Sequence, residues 1–178
     1  LQLGMVARRR ERVGEQGRAV VVTDAQDEAI RAALEAALTV KVARPVRLTA
    51  AQAAAISAVC EDLARPTPML RLLQGDVGSG KTAVAAWALA ATALSGRQGA
   101  LLAPTDLLAR QHQRTLIDLL APLGLGVELR TGSMPAGAAK TTRQLLSSGQ
   151  ARIVVGTHAL ISASVQFADL GLAVVDEQ

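Results

Sequence analysis

Apolar and polar positions change their period near residue 43 of this 178-residue chain. Before that point the spacing is helical: "TDAQDEAIRAALEAAL" (23–38) opens on a Thr23 or Asp24 cap, puts acid in its first turn, and repeats apolar residues every three or four positions. Residues 1–17, "LQLGMVARRRERVGEQG", are read as the end of a charged helix with Arg8, Arg9, Arg10 and Arg12 on one cationic face. "TVKVARPVR" (39–47), with Pro45 and mixed charges, is a connector. The expected division is a helical linker over 1–43 and a second unit over 44–178.

Beyond the connector, short apolar runs alternate with helical patterns. The predicted strands are 69–74, 99–104, 127–132, 151–157 and 171–177. Between them lie helices over 82–96, 105–124 and 138–149, after a first helix at 48–64 opened by Thr49 and boxed by Gln52. Runs of this kind, 25 to 30 residues apart, are the sequence form of βαβ units around a buried, mostly parallel sheet sandwiched by helices, an α/β fold. Ligands in such folds belong at the carboxyl ends of the strands.

Composition narrows this picture without changing it. Half the residues are apolar, but Trp87 and Phe167 are the only aromatics, so the core must be built from Ala, Leu and Val. The formal charge is +4, and Lys41, Lys81 and Lys140 are the only lysines. An arginine-weighted excess suits phosphate recognition. A general bias towards alanine and arginine would produce the same counts. Cys60 stands alone, which excludes an internal disulfide, and it reads as a small core residue. No apolar run reaches 18 residues and no secretory leader is visible, so a cytoplasmic protein with no membrane partner is expected. The chain opens on Leu1 and stops after "AVVDEQ", and is expected to be a piece of a longer protein.

"LLQGDVGSGKTAVAA" (72–86) carries the chemistry. Gly75, Asp76, Val77, Gly78, Ser79, Gly80, Lys81 and Thr82 satisfy G-x-x-x-x-G-K-[ST] between a predicted strand and a predicted helix. A triphosphate must be met by several backbone N–H groups at once, so side chains have to be absent around it. The helix start adds its partial positive charge. Lys81 is then expected to reach the β- and γ-phosphates and Thr82 to hold Mg²⁺. A lysine in a first helical turn opposes the dipole unless an anion is present. Asp176 and Glu177, directly after "GLAVV", put two carboxylates at another strand end. Asp176 is assigned to magnesium, and Glu177 is assigned as the base that takes a proton from the attacking water.

Gln52, the phosphate loop, "APTDLLARQH" (103–112), "TGS" (131–133), "VVGTHAL" (154–160) and "VVDEQ" (174–178) form an ordered series. It resembles the first RecA-like motor domain of superfamily-2 DNA helicases and translocases, and within them the RecG-type helicases, over about residues 45–178. Residues 1–43 resemble, less specifically, the helical linker between the fork-binding wedge domain and the motor of that family. Carried over by position, the resemblance implies that Gln52 reads the adenine edge and that residues 75–82 hold the phosphates of ATP. It also implies that Pro104, Thr105, Thr131, Gly132, Gly156 and Thr157 face a DNA backbone, as small residues and hydroxyls at helix starts can. Thr105 is equally a good helix cap, Gln52 is equally explained by its capping box, and Gly132 equally by a turn. An aromatic common ahead of the glutamine in this family is replaced here by Val46. His158 and His112 are the only histidines, so His158 is read as a loop-packing or backbone-contacting residue and not as a metal ligand.

The resemblance implies an ATP-dependent, bacterial motor acting on branched or duplex DNA, such as stalled forks and Holliday junctions in repair and recombination, with a second motor domain and a wedge domain as partners. A transcription-repair coupling translocase and a phosphate-loop module without DNA activity are the competing readings. In this fold the strand following "VVDEQ" lies between the phosphate-loop strand and the Asp176 strand. An unfilled or distorted slot is therefore expected at the sheet centre, with exposed edges open to aggregation.

Overall fold

The computed structural model describes residues 2–6, 19–76 and 78–177, with residues 2–6 and Glu177 in backbone alone. The expected cationic face of Arg8, Arg9, Arg10 and Arg12 lies outside the described residues, as do Val77 and Gln178.

The element order is β1 (Gln2–Val6), α1 (Asp24–Val42), α2 (Ala50–Leu63), β2 (Leu70–Leu73), α3 (Lys81–Leu94), β3 (Gln98–Leu102), α4 (Asp106–Leu120), β4 (Val127–Arg130), α5 (Ala136–Ser147), β5 (Ile153–Gly156) and β6 (Leu170–Glu177). Single 3-10 turns follow α4 and β5. Each helix from α1 to α4 starts where its cap chemistry permits. Thr23 and Thr49 accept from Gln26 and Gln52 N–H and receive those side chains in return, two complete capping boxes. Thr105 caps α4 through its hydroxyl. Gly80 begins α3 with φ 79. α1 runs on to Val42 instead of stopping at residue 38, and ends where Ala43 turns left-handed at φ 54, two residues before Pro45. No glycine or proline interrupts "LTVKV" (38–42) and Lys41 suits a last helical turn, so the helix continues where mixed charge had suggested a connector.

The sheet order is β2-β1-β6-β3-β5-β4. β6, β3, β5 and β4 are mutually parallel, joined by the expected helices on their faces. Two expectations are overturned at β1. Residues 2–6 form a strand and not the end of a helix, and that strand fills the slot expected to be open between β2 and β6, antiparallel to both. Leu3 pairs with Leu73 on one side and with Asp176 on the other. The reason is backbone satisfaction: β2 and β6 present facing rows of N–H and C=O groups, and the extended segment "QLGMV" pairs with both. β2 and β6 therefore stand about 9.5 Å apart, two strand spacings.

α3 is buried on every side, from Ala83 to Ala93, and sits at the centre of the main core with Ile30, Leu34, Ile56, Leu101, Leu116, Leu120, Ile153, Leu172 and Val174. α1 contributes Ile30 and Leu34 to that core, so the expected linker segment packs on α3 and α4 as part of the same body. Cys60 is half-buried against it, as a small packing residue would be. A smaller cluster of Ala100, Leu146, Ala151, Val154 and Leu160 lies on the opposite sheet face with α5. β2 is an edge strand whose Leu70 and Leu72 stand 81% and 56% exposed, an open apolar edge of the kind expected. Among the described residues no helix is long and apolar enough to cross a membrane.

Candidate nucleotide site and strand-end surface

β2 delivers the chain to the glycine loop, and α3 leaves it at Lys81. Gly78 and Gly80 take φ 83 and φ 79, the left-handed region that glycine enters at little cost. A Cβ at Gly80 would stand 2.0 Å from Gln52 Nε2, so that amide would have to move off its bond to Ser79. At Gly75 a Cβ would meet Ser79 Oγ at 2.8 Å. Lys81 Nζ donates to the carbonyl oxygens of Gly75 and Asp76 at 2.6 and 2.8 Å, so its ammonium lies over the loop. The first turn of α3 carries no acid and Gly80 gives no side-chain cap, which leaves free N–H groups of that turn facing the loop. Thr82 follows in the same turn, half-buried. Together these are the elements of an anion cradle: bare amides, a helix start and one ammonium.

Gln52 is explained both by its helix cap and by the loop. Its Oε1 accepts from Thr49 N–H at 2.8 Å, while Nε2 donates to the carbonyl of Ser79 at 3.1 Å. The start of α2 is thereby fastened to the phosphate loop.

Asp176, the penultimate residue of β6, has its side chain fully buried. Oδ2 lies 2.6 Å from His112 Nε2 on α4, and Oδ1 finds no hydrogen-bond partner among the described residues. A buried carboxylate oxygen without a donor is costly unless a water or a cation supplies the missing contact. The residues present therefore fit a divalent ion: Thr82 hydroxyl and Asp176 carboxylate are hard oxygen donors of the kind magnesium takes. Glu177 shares the strand end, its backbone in register with Gln2.

The six strand-end residues separate into two groups. Pro104, Thr105 and Gly132 are exposed, whereas Thr131, Gly156 and Thr157 are buried. Thr131, at 0% exposure, receives its contacts from Met134 and Ser133. Thr157 hydroxyl is enclosed without a partner among the described residues. Gly156 is glycine because a Cβ would lie 2.0 Å from the Arg130 carbonyl oxygen. Of the six, Pro104, Thr105 and Gly132 therefore form the exposed part of these strand ends. His158 is exposed at the start of the 3-10 turn after β5.

Two pairings escaped the sequence reading. His112 shares the inward stripe of α4 with Ala109, Leu116 and Leu119, and a histidine in an apolar stripe signals a buried acceptor. Asp106 receives the Ser133 hydroxyl and its N–H, joining the first turn of α4 to the loop after β4. The Ser133 hydroxyl, with help from Thr131, the Ser133 N–H and Arg110, holds the Asp106 carboxyl below its ordinary value.

Comparison with known proteins gives the family and the fold. The DEAD/DEAH box helicase family model matches residues 49–178. ATP-dependent DNA helicase RecG of Synechocystis sp. is 48% identical over 134 residues, covering 75% of this chain and 16% of the relative. RecG of Mycobacterium tuberculosis is 48% identical over 145 residues, covering 75% and 20%, and RecG of Escherichia coli is 44% identical over 136, covering 76% and 20%. The chain thus spans a fifth or less of the length of these relatives. A solved structure of RecG bound to a three-way DNA junction superposes with TM-score 0.68 at 37% identity, covering 77% of this chain and 19% of that one. A hypothetical ATP-dependent RNA helicase from Sulfolobus tokodaii shares the fold, with TM-score 0.51 at 23% identity over 75% of this chain and 35% of that one. With the matched region running from the cap of α2 through the phosphate loop to Asp176, the chain belongs to the DEAD/DEAH box helicase family.

Proposed function

We propose that this chain forms the nucleotide-binding first motor lobe of a RecG-like, ATP-dependent DNA helicase that remodels branched DNA such as stalled forks and Holliday junctions in repair and recombination. The observation that carries the reading is the complete glycine loop with Lys81 over it, in one sheet with a buried carboxylate, Asp176, that has one oxygen free. The junction-bound RecG structure and the RecG relatives support DNA as the partner.

In this proposal the amides of residues 75–82 surround the phosphates of ATP. Lys81 leaves the Gly75 and Asp76 carbonyls for the β- and γ-phosphates, exchanging two neutral acceptors for charged ones. Gln52 spends its remaining N–H and its fixed position on the adenine edge. Asp176 and Thr82 hold magnesium, which when bound neutralises charge developing on the phosphoryl oxygens. Glu177 orients and deprotonates the attacking water. Pro104, Thr105 and Gly132 offer backbone and hydroxyl contacts to DNA phosphates. A second motor domain contributes the catalytic arginines and a wedge domain contributes fork recognition; the setting is the bacterial cytoplasm.

Titration of the chain with fluorescent ADP and Mg²⁺, then with labelled duplex and three-way-junction DNA across salt concentrations, tests this. Nucleotide binding lost in Lys81→Ala, and DNA affinity that falls steeply with salt as phosphate contacts release counterions, are expected. Nucleotide binding without DNA affinity even at low salt would leave only a phosphate-loop module.

A further inference from the structure

Asp176 is held from one side only, and the group that holds it is not part of the phosphate loop. Its side chain is fully enclosed, yet of its two oxygens one is bonded to His112 Nε2 at 2.6 Å and the other has no partner among the described residues. Where the carboxylate is the acceptor, this contact requires the imidazole tautomer that carries its hydrogen on Nε2. His112 occupies the inward stripe of α4 between Ala109 and Leu116, both fully buried, and its own side chain is 12% exposed. A polar ring in that stripe takes the place of an apolar side chain, and its enclosed nitrogen needs a partner.

The type of partner matters as much as its presence. A lysine or arginine here would pair with the carboxylate as a fixed cation and compete with a metal for its charge. A single imidazole N–H restrains one oxygen while leaving the other to coordinate. Partners behind metal-binding side chains act in this way, fixing orientation and basicity without touching the ion.

We propose that His112 is a positioning residue for the magnesium carboxylate: its Nε2–H fixes Asp176 Oδ2 so that Oδ1 is the oxygen available to the ion. This rests on the assignment of Asp176 to magnesium made above. Because His112 stands two turns along α4 from Thr105, the helix that begins at the exposed strand-end surface also sets the metal carboxylate. In the ordinary structural alternative, the pair satisfies itself within the core and position 112 has no bearing on metal affinity.

The test uses the 178-residue chain with saturating ADP, Mn²⁺ as the probe, and the free Mn²⁺ signal in electron paramagnetic resonance as the readout. His112→Leu removes the donor. His112→Gln returns an N–H near the position of Nε2. Loss of about 10- to 100-fold in Mn²⁺ affinity in the Leu variant, recovered in large part by Gln, is expected. A Leu variant that melts cooperatively and binds Mn²⁺ as tightly as the parent chain overturns the proposal. His112→Asn, whose shorter amide falls short of Oδ2, serves the same comparison if Leu does not fold: retained affinity counts against the proposal, and loss rescued only by Gln supports it. ADP affinity in EDTA is expected to be unmoved at position 112, and a fall there would make His112 part of the nucleotide site's fold and refute the positioning role. Lys81→Ala, by losing ADP itself, reads the nucleotide assignment separately, so that assignment stands or falls independently of His112.

Discussion

Gln52 Nε2 donates to the Ser79 carbonyl at 3.1 Å, so the residue that boxes the start of α2 also holds the loop that would surround a triphosphate. The two duties are separable by substitution. Glu fits a capping box as well as Gln does, but it presents an acceptor to the Ser79 carbonyl and adds a negative charge beside the phosphates. Gln52→Glu should therefore keep the α2 cap, lower the melting temperature by no more than the few degrees that one hydrogen bond of about 1 kcal/mol is worth, and weaken ADP binding through the charge added beside the phosphates. Fluorescent-nucleotide titration beside a thermal melt decides it, and a Glu variant that binds ADP like the parent chain would separate position 52 from the nucleotide.

Two glycines of the strand-end series should respond in opposite ways. A Cβ at Gly156 would meet Arg130 carbonyl oxygen at 2.0 Å, a backbone atom that cannot step aside, and Leu160 Cγ at 2.9 Å. Gly156→Ala is expected to destabilise by about 1–3 kcal/mol or more. At about 2–4 °C per kcal/mol for a chain of this size, calorimetry should read a clear drop in Tm. A Cβ at Gly132 meets no described atom within 4 Å. Gly132→Ala should leave the melt within about 0.5 kcal/mol of the parent, and any loss of DNA affinity it causes would locate a phosphate there. Equal melting for the two variants would sink the distinction.

Trp87 shows what composition conceals. It is the only tryptophan, completely buried in α3, and its indole N–H donates to Asp27 Oδ1 on α1 at 2.8 Å, while Arg31 pairs with the same carboxylate. Removing the acceptor alone leaves a buried donor unmet, so Asp27→Ala should cost about 1–3 kcal/mol. Trp87→Phe in the Asp27→Ala background removes the unmet donor, so the double variant should lose less than the sum of the singles in urea unfolding. Strict additivity would mean that the bond carries nothing.

The strands, the helices and the phosphate loop were legible in the sequence because each is local: alternation of apolar runs, cap residues, and a glycine spacing that few other purposes require. Gln52 was legible for the same reason, through its capping box. What was not legible is set by pairings across the fold. Residues 2–6 look like part of a charged segment when read with Arg8 to Arg12, and only the facing backbone rows of β2 and β6 show why "QLGMV" is extended. Thr131, Gly156 and Thr157 carry the residue types of a phosphate surface, and their burial at the ends of β4 and β5 is set by the fold and not by residue type. His112 and Asp176 are distant in sequence, and no spacing rule connects them.

The loop after β4 should be tied to α4 in a manner that acid releases. Asp106 accepts from the Ser133 hydroxyl and N–H, and those bonds keep its carboxyl below the ordinary aspartate value near 3.9. A group depressed in the folded chain contributes stability above its unfolded pKa and loses it as pH falls through the folded value. The stability difference between the parent chain and Asp106→Ala should thus hold constant from pH 7 to about 5, and shrink below about pH 4. Ser133→Ala should remove most of that difference at neutral pH, because the hydroxyl is the largest source of the shift. Urea unfolding at several pH values measures both. A difference that persists undiminished to pH 3, or one indifferent to Ser133, would show that the carboxylate serves the start of α4 alone.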